Sequence, residues 1–219
     1  MKNCVVSWSG GKDSALALHT ARYRGLNIDC LFTMFDTNEI TRAHRIPKSV
    51  ILRQVSALGL NLVHGTVGPN GYEAEFKRVM LQASATYGSR ACVFGDIDLV
   101  EHLEWGRRVC SDVGFVATYP LLGLSHQEAA DLFIEEGFRA VIVAVHTDRL
   151  GIEWLGRAYD AKTIADLRLA GVSVAGEFGE FHTIVLDGPI FREHSLADWW
   201  ASGETRVETI DNHAYLVRI

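Results

Sequence analysis

The sequence predicts an α/β fold, with a parallel sheet covered by helices on both faces and a smaller α+β region at the C-terminal end. Short apolar runs alternate with stretches of helical periodicity through the first half of the chain, which is the pattern of strands joined by crossover helices. Near the far end that alternation gives way to three strand-like segments, FHTIVL, RVETI and HAYLVRI. The length also fits: 219 residues, 48% of them hydrophobic, suffice for one large core or two small ones.

In order, Cys4 to Trp8 reads as a buried strand ending at Gly10 and Gly11, and Ala15 to Arg24 as a helix closed by Gly25. Ile28 to Phe35 is the second strand. Pro47 opens a helix whose face carries Ile51, Val55 and Leu58 and which stops at Gly59. Leu60 to Val67 gives a third strand, and Phe76, Val79, Met80, Ala83 and Tyr87 recur at helical spacing. Ala91 to Gly95 is a fourth, followed by a helix marked by Leu99, Leu103, Gly106, Cys110 and Val113. A second region is expected from Gly123, dividing the chain into residues 1–122 and 123–219. There Ser125 and Glu128 form a capping box, Gly137 closes the helix, and Ala140 to Val145 is again a strand. Asp160 caps a helix reaching Gly171, and RVETI and HAYLVRI flank Asp211 and Asn212 as a hairpin. No linker-like tract separates the halves, so a cleft between them is the expected ligand site.

Composition narrows the function. A net charge of −6 without a basic run argues against nucleic acid as the main ligand. No eighteen apolar residues run together and the N-terminal apolar stretch is too short for a signal sequence, so the expectation is a cytosolic protein without a membrane span. Cys4, Cys30, Cys92 and Cys110 form no CxxC pair and read as buried thiols.

The chemistry concentrates in SGGKDS, Ser9 to Ser14, between the first strand and its helix. A glycine-rich turn opening a helix converges backbone N–H groups and the positive helix end on one point, which suits a phosphate. GxxxxGK[ST] fails because Val6 and Asp13 stand where glycine and a hydroxyl residue are required, and GxGxxG fails because Gly10 and Gly11 are adjacent. What remains resembles the pyrophosphate loop of the ATP pyrophosphatase superfamily, whose adenine nucleotide alpha hydrolase-like, Rossmann-like fold cleaves ATP between its α- and β-phosphates. The resemblance implies that Gly10 and Gly11 admit the outer phosphates, that Lys12 offsets their charge, and that Ser9 and Ser14 donate to them. Asp13 would orient the loop or hold Mg²⁺.

At the far end, AGEFGEFHTIVLDGPIF (Ala175 to Phe191) is similar to the segment of diphthine–ammonia ligases with the pattern GExGE followed by an aromatic residue. GDID at Gly95 to Asp98, PLLG at Pro120 to Gly123 and GFRAVIVAV extend the likeness over nearly the whole chain. It implies an ATP-dependent ligase that adenylates a carboxylate, amidates it with ammonium, and releases AMP and pyrophosphate. In archaeal and eukaryotic members the carboxylate belongs to diphthine on elongation factor two. Ala175 stands where relatives carry cysteine, Phe178 where they carry a small or amide residue, and Leu122 where tryptophan is common, so the acceptor pocket is expected to be reshaped. Glu177, Glu180 and His182 are suited to binding ammonium or taking its proton, with Glu180 the expected base; in an extended segment Glu180 and His182 share one face.

His44 is expected near phosphate or adenine, with a solvated loop histidine as the alternative. Gly95 and Asp96 follow a strand end on the ligand side of a parallel sheet. Asp96 and Asp98 are read as contacts to ATP or Mg²⁺, or Asp98 as a helix cap. Two other functions remain in view. A tRNA-modifying pyrophosphatase would want paired cysteines and a basic surface, and a non-catalytic nucleotide sensor would not need SGGKDS complete.

Overall fold

A computed structural model describes residues 3–68, 70–192 and 195–218. Its first half is a five-stranded, all-parallel sheet in the order β3-β2-β1-β4-β5, made of β1 (Asn3–Ser7), β2 (Asn27–Asp36), β3 (Asn61–Val67), β4 (Ala91–Val93) and β5 (Val116–Thr118). Alternation along β1 sorts the core. Cys4, Val6 and Trp8 pack with α1 (Lys12–Tyr23) and α2 (Lys48–Leu58), whereas Val5 packs with α3 (Tyr72–Tyr87) and α4 (Val100–Asp112) on the other face. Helices on both faces are what near-continuous apolar strands require.

The second half is a four-stranded antiparallel sheet, β7-β6-β9-β8, from β6 (Arg139–His146), β7 (Phe181–Asp187), β8 (Thr205–Ile210) and β9 (His213–Arg218). It is accompanied by α5 (His126–Glu135), α6 (Ala161–Leu169) and α7 (Ser195–Ala201). The capping box at α5 is complete and Asp160 caps α6 through the Thr163 N–H. The hairpin forms with Ile210 opposite His213, and Asp211 takes the left-handed conformation at φ 49°. One apolar core runs from the α1/α2 face into this sheet without interruption. Among the described residues no helix is long and apolar enough to cross a membrane.

Some boundaries differ from expectation for local reasons. The first helix begins at Lys12 rather than Ala15, because Gly11 is its extended N-cap residue and the pyrophosphate-loop lysine and aspartate form its first turn. Pro47 caps α2 from outside. A single 3-10 turn at Ile152–Trp154 and the helix α7 carry no strong sequence signal. All four cysteines are buried thiols, as expected.

Candidate active site

The sheet order reverses at β1, which has β2 on one side and β4 on the other. At such a switch point the chain ends after the two strands diverge and leave a crevice. A cavity of about 690 Å³ opens there. Ser9 contributes from the loop after β1, Asp13 and Ser14 from the first turn of α1, and Gly95 and Asp96 from the loop after β4. The opposite wall is Gly176 to Gly179 with His182, so the two motifs that lie farthest apart in sequence face each other.

The loop is built tightly. Gly10 has φ 82°, and a Cβ there would lie 2.8 Å from both Gln54 Oε1 and Ile51 Cδ1, so only glycine fits. A Cβ at Gly95 would meet the Asp13 carbonyl carbon at 2.8 Å, which is why the loop after β4 can lie against the first turn of α1. The Ser9 hydroxyl donates to Ser14 Oγ at 3.2 Å, and Ser14 donates to the Gly11 carbonyl at 2.9 Å.

The second sheet completes this geometry. Val185 N–H donates to the Gly10 carbonyl at 2.9 Å, and Lys12 N–H donates to Thr183 Oγ1 at 3.1 Å. Gln54, wholly buried on α2, accepts from Trp8 Nε1 and donates to both the Gly10 and Val185 carbonyls, each at 2.9 Å. Neither Gln54 nor Thr183 was singled out by sequence. The available signal was a polar residue within the apolar stripe of Ile51, Val55 and Leu58.

The predicted site residues separate into those on the cavity wall and those behind it. Lys12 is behind it. Its ammonium bonds both Asp13 carboxylate oxygens, at 2.7 and 2.8 Å, together with the Ala175 carbonyl, and lies 5.6 Å from the centre of the Phe181 ring. Glu180 does not reach the wall either, contrary to the one-face expectation. It precedes β7, is buried, and spends its carboxylate on the Ser173 and Phe178 N–H groups at 3.2 and 3.1 Å. Glu180 thus shapes the GEFGE loop from inside.

Asp98 is likewise off the wall. It does not cap α4, whose N-cap is Leu99; its carboxylate meets His126 Nε2 at 3.2 Å, and His126 Nδ1 meets Ser173 Oγ at 2.8 Å. This chain ties the GDID loop to the GEFGE loop. Among the described residues no three His, Cys, Asp or Glu side chains form a group that could hold a metal ion by themselves. Asp13 and Asp96 nevertheless stand on the wall, and Mg²⁺ needs only one or two carboxylates beside phosphate oxygens and water.

Glu177 lies on the wall, accepting from the Ile97 N–H at 3.1 Å. Burial holds its carboxyl above the ordinary glutamate value, and the charges of Asp13 and Asp96 push the same way. His44 and His182 also line the cavity, their ring centres 4.6 Å apart. His44 Nδ1 lies 2.9 Å from the Thr183 carbonyl, so that nitrogen carries the proton and Nε2 is left as an acceptor. A side chain at Gly11 would collide with the His44 ring.

Burial lowers the pKa of His44, and burial with the neighbouring His44 and Lys12 charges lowers that of His182. The unfolded chain therefore binds protons near pH 6.5 that the native one refuses, so stability rises with pH through that range. Urea unfolding at pH 7, 6 and 5 is expected to show falling stability, and a His44→Asn/His182→Asn double variant a flatter dependence. An unchanged slope in the double variant would mean that other groups control it.

A parallel sheet with a glycine-rich pyrophosphate-type loop at its switch point defines an ATP pyrophosphatase-type nucleotide-binding protein. Within that class the chain belongs to the diphthamide synthase family: the family's N-terminal domain matches residues 1–117 and its C-terminal domain residues 126–200. Membership implies ATP use. No curated protein matches the chain. Among solved structures, a predicted subunit of tRNA methyltransferase from Methanocaldococcus jannaschii is 17% identical, with 85% of this chain and 98% of that one covered at a TM-score of 0.45.

Proposed function

We propose that the protein is an ATP-dependent carboxylate–ammonia ligase, which adenylates a carboxylate, amidates it with ammonia, and releases AMP and pyrophosphate. The observation that carries this reading is the shared cavity: the SGGKDS loop and the GEFGE segment wall one space. Residues 1–122 serve as the nucleotide half and 123–219 as the acceptor half. The acceptor is a carboxylate, diphthine on elongation factor two in an organism that makes it and another carboxylate otherwise. The work is assigned to the cytoplasm.

A carboxylate resists attack by ammonia until its oxygen becomes part of a good leaving group. Transfer of AMP to it forms an acyl adenylate and expels pyrophosphate, which must be held as it leaves. Ser9 and Ser14 line that position together with the first turn of α1, whose positive end favours an anion, and Lys12 adds charge from behind the wall. Mg²⁺, when bound, supplies further charge neutralisation at the phosphate oxygens, and Asp13 with Asp96 would hold it. Purine fits the adjoining chamber of about 200 Å³ lined by Trp8, Phe32, Met34 and Arg42. Ammonium must lose a proton before it attacks. Glu177 is the wall carboxylate whose affinity for a proton is raised, so it takes the place in this scheme first given to Glu180. His44 and His182, whose burial disfavours the charged form, are further acceptors lining the same cavity.

Phosphorus NMR of turnover with an acceptor is expected to show AMP and pyrophosphate, and ADP as the sole product would refute adenylation. Calorimetry with α,β-methylene-ATP, which cannot be cleaved at the bond in question, tests the loop directly. Lys12→Ala is expected to weaken that binding about tenfold, because the positive charge behind the wall is lost and the Asp13 carboxylate it pairs is left facing the phosphates. Equal affinity in wild type and variant would remove Lys12 from the phosphate site.

A further inference from the structure

Strand β8 is the outer strand of the antiparallel sheet, and among the described residues no strand pairs with its far edge. Five of its six residues are exposed. Alternate residues of such a strand direct N–H and C=O groups away from the sheet, so β8 presents backbone donors and acceptors to whatever strand can lie beside it. Proteins usually protect an open edge with lysine, proline, a bulge or a very short strand. Lysine and proline are absent from Thr205–Ile210, and its pairing with β9 runs in unbroken register from Thr205 opposite Arg218 to Ile210 opposite His213.

The two charges on the strand have a symmetry that selects the partner. Arg206 and Glu208 stand two residues apart on one face, with Arg206 Nη2 2.6 Å from Glu208 Oε1, and Val207 between them is 48% exposed. Two copies of β8 laid antiparallel about Val207 place Arg206 opposite the partner's Glu208 and Glu208 opposite the partner's Arg206. Each charge meets its opposite. Val207 then faces the partner's Val207 and Thr205 the partner's Thr209, which are β-branched pairs suited to a sheet. Centring the pair on Arg206 or on Glu208 instead sets like charges against each other, and so does a parallel alignment in register. The sequence of this edge therefore favours one orientation and one register.

We propose that β8 is a self-association edge, through which a second copy of the chain joins the two four-stranded sheets into one of eight about a two-fold axis at Val207. Each copy offers one such edge, so the arrangement closes at a dimer. A strand pair of six residues buries less than a standard interface, and the dimer is accordingly weak and concentration-dependent. It does not depend on the amide-ligase reading.

Sedimentation velocity on the full chain, from about 1 μM to about 1 mM, is expected to show monomer passing into dimer. Arg206→Glu sets like charges opposite each other at both ends of the pair, and Glu208→Arg does the same with the other sign. Each variant alone should weaken self-association about tenfold or more. Mixed in equal amounts, the two restore opposite charges across the edge, and the mixture should dimerise about as well as the wild type. That recovery cannot come from misfolded variants. A wild type that stays monomeric throughout overturns the proposal. So does dimerisation that both single variants leave unchanged, which would place the interface elsewhere, and so does a mixture that associates no better than its components.

Discussion

Glu177→Gln is expected to retain nucleotide binding and to lose amide formation by on the order of 10²–10⁴-fold, the usual cost of removing a general base. The substitution keeps the side chain's shape, and the amide oxygen can still accept from Ile97 N–H. What disappears is the capacity to take a proton, at a position where burial and the charges of Asp13 and Asp96 favour proton uptake. Incorporation of labelled ammonium into an acceptor, followed by mass spectrometry beside α,β-methylene-ATP affinity, separates the two steps. Glu180→Gln serves as the contrast. Its carboxylate accepts from two N–H groups, and an amide supplies only one oxygen, so that variant should loosen the loop and lower thermal stability. Wild-type amidation in Glu177→Gln would remove this residue from the mechanism.

The largest stability effect is expected at Gln54. Replacing it by leucine keeps the volume near that of the original but strips the partner from Trp8 Nε1 and one donor each from the Gly10 and Val185 carbonyls. Gly10 retains the Val185 N–H, so the loss is partial there and complete at the indole. Buried groups deprived of partners cost about 1–3 kcal/mol each, and a total of roughly 3 kcal/mol is the expected result. Urea unfolding measures it. Because the same amide joins the glycine loop to β7, nucleotide affinity should fall in the surviving folded protein as well. A change below about 0.5 kcal/mol would show that rearrangement or water replaces the side chain.

These two residues also mark how far the sequence could be read. The parallel sheet was legible because its strands are apolar runs and its helices close on glycines such as Gly25 and Gly59, signals that depend only on neighbours in the chain. The capping box of Ser125 and Glu128 and the hairpin at Asp211 were legible for the same reason. Glu180 was misplaced because period-two alternation describes a strand, whereas Glu180 stands just before β7 in a turn held by its own carboxylate. Gln54, Thr183 and the orientation of Lys12 act across more than 130 residues or between separate sheets, and no local pattern announces such partners.

The bonds from Val185 to Gly10 and from Thr183 to Lys12 have a consequence for synthesis on the ribosome. The five parallel strands are complete once residue 118 has emerged, yet the turn after β1 lacks its last partners until residues near 185 follow. Domains tend to form in the order in which they leave the exit tunnel. A nascent chain of the first half would thus carry an open, unbraced glycine turn until the second sheet folds against it.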